Sequence, residues 1–490
     1  MTLAQTTPSS HPHNRWWSLA VASLATLIVT VDTGQLNIAL PLIIKEFDAD
    51  LTLASWIALV YAFITASLYL PCGRLSDLFG LGKLFLTGFI VYSIGSFAAG
   101  ASQGAAQLVL FRTLQAAGSA LIMANNFALV TALFPAQERG RAMGIAGGTV
   151  SAVGYSLGPV LGGLLTHALG WRSNFYLSGA LALVGFASAR ALLPPESFRG
   201  ANPKREPFDF IGAISFALGI SSLLSALTLA QRGGWQLPIM VSALIGILAL
   251  GFFVWWENSR AYPLLDLRIF RISAFTLGNI ARWFSFITMS VSNLLMPFFL
   301  QLGMGLDPLR TGMLVAPTSV TMALLAPLTG WMSERFAAER LCAAGLAVNG
   351  VALVLLSFLG SGSSALEVAF GLALMGVGMG IFQTPNNNLL MSSVPRHRLG
   401  VGSSVLSIVR SLGYSIGATL AAAVVSHFLF LATGKTSLQS LGPGAGIATD
   451  AALLSAFLRG YRCAFLVAAA VAFAGALVSL KPITENEPRS

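Results

Sequence analysis

Fourteen stretches of this chain are each long and apolar enough to cross a bilayer. No other feature limits the fold as strongly. Hydrocarbon offers no partner to a backbone N–H or C=O, and a helix of about 20 residues satisfies all of its own. The stretches lie near 16–40, 52–72, 84–101, 106–130, 142–166, 174–193, 210–230, 237–256, 273–299, 311–332, 341–361, 368–390, 400–430 and 461–480. The first follows a polar leader, Met1 to Asn14, without a small-residue cleavage site, and reads as an uncleaved span. Charged residues make up only 9% of the 490, against 55% hydrophobic. A soluble domain carries about a quarter charged residues, so this chain cannot clothe a soluble surface. The sequence therefore predicts an all-α integral membrane protein with 14 transmembrane helices. Cys72, Cys342 and Cys463 stand far apart without ligand spacing and read as small apolar residues, not a metal site.

The formal charge of +10 does not point to nucleic acid, because the basic residues sit in short loops between spans. An even span count puts both chain ends on one side. Of the 28 basic residues, 18 fall on the side of the ends, among them Arg74, Lys83, Arg139, Arg141, Arg396 and Arg398. Seven fall on the other side, and Arg112, Arg282 and Arg410 lie within spans. The positive-inside rule then predicts cytoplasmic termini in a multi-pass cell-membrane protein. Residues 447–459 are readable as a short surface helix in the outer loop 431–460.

The two halves repeat at an offset near 260. Gly154 to Gly158 (GYSLG) recurs as Gly413 to Gly417 (GYSIG). Gly118, Asn126, Pro135 and Gly140 match Gly378, Asn386, Pro395 and Gly400, and Gly73 to Phe79 is echoed by Gly330 to Phe336. Spans 1–6 thus correspond to spans 9–14, with spans 7 and 8 inserted between. The expected organisation is an N-terminal six-helix bundle (1–193), a linker (194–209), an inserted helix pair (210–256) and a C-terminal six-helix bundle (257–490). A duplicated bundle places its binding site between the repeats and works by rocking one against the other.

Asp32 is the one acidic residue expected well inside a span. Burying a carboxylate costs several kcal/mol unless it is paired or protonated, so such a group is suited to loading and releasing a proton. A structural ion pair is the competing reading. Arg112 stands in the outer half of span 4 with Asp32 near mid-membrane, and the competing reading for it is ordering of backbone carbonyls. Asp77 is expected in a tight turn permitted by Gly73 and Gly80, against a helix N-terminus or an arginine; Lys83 closes that stretch. Gly154, Gly158 and Gly162 allow close helix approach, and Pro159 bends its helix. Amides at membrane depth (Asn126, Gln383, Asn386, Asn387) and aromatics (Trp56, Tyr155, Trp283, Phe286) are candidates to line a cleft for an amphipathic ligand, as are Gln35, Gln115 and Arg282. Three arginines within spans against one acid predict that neutral, zwitterionic or anionic amphipaths are favoured over dications.

Four motifs resemble the fourteen-span drug:proton antiporter branch of the major facilitator superfamily, over nearly the whole chain. Val31 to Pro41 (VDTGQLNIALP) is similar to the first-helix pattern LDxTxxNxALP. Gly73 to Lys83 resembles the loop between spans 2 and 3, Arg112 to Gly118 (RTLQAAG) resembles RxxQGxG of span 4, and Gly154 to Gly163 (GYSLGPVLGG) resembles the antiporter signature of span 5. The departures are Gly34-Gln35 after Asp32, Ala116 for a usual Gly, and Leu78 and Leu81 where basic residues are usual. The resemblance implies the major facilitator fold, two six-helix bundles plus the inserted pair. It implies proton coupling at Asp32 and Arg112, and a conformational lock at Gly73, Asp77, Gly80 and Lys83. It also implies an antiporter bend at Gly154, Gly158, Pro159 and Gly162. The expected function is proton-coupled export of drugs or toxic metabolites by alternating access, conferring antibiotic resistance. Its partners are small amphipathic molecules, protons and the lipid bilayer; the chain acts as a monomer, with no nucleic acid and no cofactor beyond the proton gradient. A transporter of one native metabolite or lipid, and a non-transporting receptor, are the alternatives. No GxxxxGK[ST] loop or HExxH pattern occurs, so no ATP coupling and no enzyme activity are expected.

Overall fold

The computed structural model describes residues 12–47, 51–199, 206–233, 236–433 and 451–481. The linker residues 200–205 and the outer-loop residues 434–450 lie outside the described residues. Among the described residues, fourteen long helices run through the molecule, and we number them in chain order: α1 Pro12–Phe47, α2 Leu51–Phe79, α3 Leu81–Gly100, α4 Ala105–Leu133, α5 Ala136–Leu169, α6 Arg172–Leu192, α7 Phe210–Gly233, α8 Leu237–Asn258, α9 Ser273–Gly303, α10 Pro308–Met332, α11 Ala338–Ser357, α12 Ala365–Ser393, α13 Leu399–Thr433 and α14 Ala451–Ser479. Thirteen of them meet the length and hydropathy of a membrane span among the described residues, and α2 is the fourteenth.

Two boundaries differ from the sequence reading. Residues 451–459 are the first turns of α14 and not a separate surface helix; Leu453, Leu454, Ala456 and Phe457 continue the apolar face, and Phe457 is fully buried. α2 runs on to Phe79, so Gly73 is a helical residue and only Gly80 forms the turn. Gly80 has φ 107°, which its missing Cβ permits. Asp77 and Glu257 are therefore also helical and buried, alongside Asp32.

Within the first bundle, α1 and α5 cross in close contact. A Cβ on Gly158 would lie 2.8 Å from the Val31 carbonyl oxygen, and one on Gly162 would lie 2.7 Å from the Gln35 Cα. Pro159 meets Gly34 at the same seam. The span-5 glycines thus hold α5 against the helix that carries Asp32, the close approach that small residues allow. Of the inserted pair, α7 packs on α2 and α13, and α8 packs on α7. It is tied at one end by Asp209, which accepts from the Trp256 indole N–H at 2.9 Å and from the Gly212 amide at 2.8 Å.

The two bundles meet along α2 against α13 and α5 against α10. Contact is concentrated at the face holding the start of α1 and the end of α14, where Trp16 packs on Phe134 and Ser479 lies near Glu339. We call this the terminal face. One turn of α5, Gly144–Thr149, is π-helical, a feature common at functional positions. There the Thr149 hydroxyl donates to the Ala323 carbonyl of α10 at 2.9 Å. Above it, Ala152, Met322 and Met379 form a small apolar plug.

Candidate functional site

Between the bundles, beyond the plug from the terminal face, lies a cavity of about 640 Å³. Its walls include Val29 and Thr33 of α1, Tyr61 and Tyr69 of α2, Asn293 of α9 and Arg410 and Tyr414 of α13. A narrower pocket shares Tyr155, Arg410 and Tyr414 with it and continues to Asn126, Arg282, Phe286, Gln383 and Asn387. Among the described residues, no Asp or Glu lines either part.

Asp32 lies behind the α1–α2 wall. It is 3% exposed, and Arg112 is 1% exposed. Arg112 Nη1 donates to Asp32 Oδ2 at 2.9 Å. Gln115 Nε2 donates to Asp32 Oδ1 at 3.0 Å and to the Ser96 hydroxyl at 2.9 Å, while Gln115 Oε1 accepts from Arg112 Nη1 at 2.6 Å. The spacing Arg112–Gln115 places both groups on one face of α4, turned to α1. Tyr61 separates this network from the cavity, with the guanidinium 4.4 Å from its ring centre. A buried ion pair of this kind is held by its hydrogen bonds as much as by Coulomb attraction, and losing either partner leaves an uncompensated charge.

The structure brings Asn126, Tyr155, Arg282, Phe286, Gln383 and Asn387 together at the cavity. Other residues named from the sequence lie elsewhere, each for a visible reason. Gln115 is engaged with Asp32. Gln35 turns into its bundle, where its side-chain oxygen accepts from the Ser178 hydroxyl at 3.3 Å. Asn386 donates to the Gly278 carbonyl at 2.9 Å and is fully buried between helices. Trp56 packs on Phe63, and Trp283 stacks on Phe284. The sequence reading passed over Tyr69, Asn293 and Tyr414. Tyr414 carried a signal, since it is the repeat partner of Tyr155.

At the terminal face, Asp77 accepts from the Gly400 amide at 2.7 Å and the Val401 amide at 3.1 Å, the first turn of α13. Arg74 pairs with Glu206. Lys83 is exposed, and Gly73 faces Gly400 across the bundle boundary.

Residues 22–211 and 210–418 match the model of the Major Facilitator Superfamily. The multidrug resistance protein Stp of Mycobacterium tuberculosis is 31% identical over 416 residues, 84% of this chain and 76% of that protein. The riboflavin transporter RibZ of Clostridioides difficile is 29% identical over 82% of this chain and 86% of its own length. The multidrug efflux pump LfrA of Mycolicibacterium smegmatis is 27% identical over 95% and 94%. The structure of the human organic anion transporter MFSD10 aligns with a TM-score of 0.66 over 96% of this chain and 100% of that one, at 15% identity, a likeness of fold alone.

Proposed function

The chain belongs to the major facilitator superfamily, and from that premise we propose that it is a proton-coupled antiporter exporting amphipathic small molecules across the cell membrane. The observation that carries this reading is the Asp32–Arg112 pair, buried one tyrosine ring behind the cavity wall. Protonating Asp32 removes the charge that Arg112 balances. A buried guanidinium without its counter-charge is several kcal/mol less stable, so Arg112, left with only Gln115 and the Tyr61 ring as partners, is driven to rearrange. α1 is locked to α5 by the glycine seam, and α5 carries the π-helical turn that seals against α10. Proton loading at Asp32 therefore acts on the helix pair whose contact with the second bundle must open.

With the chain ends on the cytoplasmic side, as the basic-residue count predicts, the sealed terminal face is cytoplasmic and the cavity faces outward. An exporter in this conformation releases cargo and takes up a proton. Both walls of the cavity come from one chain, so a monomer suffices. Relatives named for multidrug resistance support cargo of several kinds. The riboflavin transporter relative supports a second reading, carriage of one native metabolite; a susceptibility panel of chemically unrelated drugs separates the two.

The decisive test is uphill efflux from proteoliposomes under an imposed pH gradient. Asp32→Asn keeps size and polarity but cannot titrate. It is expected to lower gradient-driven efflux at least a hundredfold while cargo binding persists. Normal uphill efflux by Asp32→Asn overturns the assignment.

A further inference from the structure

Arg282 of α9 and Arg410 of α13 line the same pocket. Arg282 is 2% exposed. Its Nε donates to the Leu406 carbonyl at 3.0 Å, and one terminal nitrogen donates to Asn387 Oδ1. The guanidinium lies 4.9 Å from the Phe286 ring centre. Each of these acceptors is neutral. Arg410 stands among the Tyr69, Tyr155 and Tyr414 side chains. Among the described residues, no carboxylate lies within ion-pair distance of either arginine. Asp32 does not serve them, because Arg112 and Gln115 occupy both its oxygens.

Two guanidiniums that remain ionised at any physiological pH thus share a confined space with no counter-charge from the protein. Removing such charges from water is costly unless an anion compensates them. A planar guanidinium also binds carboxylate and sulfonate oxygens through paired N–H donors. Phe286, Met289 and Met322 supply an apolar wall beside the two charges. We propose that the cavity selects amphipaths bearing a single anionic head group, held by Arg282 and Arg410 with the apolar body on that wall. This rests on the reading of the cavity as the cargo site. Cations are disfavoured there twice, by like charge and by the lack of any carboxylate to replace their hydration.

The test measures binding of three matched probes to the full chain in nanodiscs: pyrenebutyrate, its neutral N-methylamide and a pyrenebutyl-trimethylammonium salt. Pyrenebutyrate is expected to bind at least tenfold tighter than either of the others. Arg282→Gln and Arg410→Gln are each expected to weaken pyrenebutyrate about tenfold and to change amide binding less than threefold, which also reports on folding. Equal affinities for the three probes, or tighter binding of the cation, overturn the proposal, and this comparison in the unmodified chain stands even if a variant fails to fold. Binding is read without transport. Preferred binding of the anion without gradient-driven efflux therefore sinks the antiporter reading alone, and efflux with a preference for cations sinks this one alone.

Discussion

The terminal face is sealed twice, by two copies of the same stretch, and the copies are not equally strong. In one, Gly73 of α2 lies against Gly400 of α13, and Asp77 accepts from two amides. In the other, Gly330 of α10 lies against Gly140 of α5, and Glu334 accepts from the Arg141 amide alone at 3.2 Å. Gly73 and Gly330 are repeat partners, as are Asp77 and Glu334, and Gly140 and Gly400. The difference starts in the chain after the matched prolines. Pro135 leads straight into helix at Ala136, with Glu138 in the first turn, where a negative charge suits the helix dipole. Pro395 is followed by Arg396-His397-Arg398, which form a 3₁₀ turn, and α13 begins only at Leu399. Positive side chains oppose a helix N-terminus. The delayed start leaves the Gly400 and Val401 amides as the unpaired donors of a first turn, and Asp77 takes both. Arg141 is a full turn inside its helix, so Glu334 meets a donor with little left to give. Asp77 is 6% exposed, whereas Glu334 is exposed. A duplicated latch therefore closes through a buried charge–dipole contact on the α2–α13 side and mainly through shape on the α5–α10 side.

Filling the glycine contacts breaks the seal with the largest effect. A Cβ on Gly73 would lie 2.2 Å from the Ser404 hydroxyl oxygen and 2.4 Å from the Gly400 carbonyl oxygen; on Gly330 the nearest atom is the Gly140 carbonyl oxygen at 2.7 Å. Backbone cannot swing aside as a side-chain tip can, and overpacking costs about 1–3 kcal/mol. Gly73→Val is expected to shift the ratio of sealed to unsealed terminal face about a hundredfold, and Gly330→Val about tenfold, at about 1.4 kcal/mol per decade. Spin-label distances across that face read both. A larger shift for Gly330→Val reverses the ranking of the two sides.

The charges come next. Asp77→Asn retains the shape of the side chain but loses the charge–dipole contact, worth about 0.3–2 kcal/mol. It is expected to shift the same ratio about tenfold toward the unsealed form, and Glu334→Gln less than twofold. Equal shifts in the two variants would show that the buried and exposed acids do the same work.

Much of this is legible in the sequence. Span count, duplication and the inserted pair follow from apolar length and from motifs repeating near an offset of 260. Asp32 and Arg112 stood out as charges at membrane depth. Their pairing stood only as one alternative, because it depends on which faces of α1 and α4 meet. Asn386 and Asn387 show the same limit. They are neighbours on α12, yet one bonds inside its bundle and the other faces the cavity. α12 is apolar around most of its circumference, so periodicity cannot say which amide points where. The repeat marked Asp77 and Glu334 as equivalent, and only the placement of the helix starts shows that one is buried and the other is not.

The smallest effect separates the two acids by salt. Screening shortens the reach of exposed charges to about 3 Å at 1 M ionic strength, from about 8 Å at 0.15 M, and acts far less on buried ones. The sub-twofold effect of Glu334→Gln is therefore expected to vanish at 1 M sodium chloride. The shift from Asp77→Asn is expected to persist within about a factor of two, since the first turn of α13 excludes solvent from the carboxylate. The comparison is made on variant-to-parent ratios at each salt concentration, so that any uniform effect of salt on the bundles cancels. If the Asp77→Asn effect fades with salt as the Glu334→Gln effect does, Asp77 is reached by solvent in the sealed state, and the asymmetry between the two latches is one of hydrogen-bond number and not of burial.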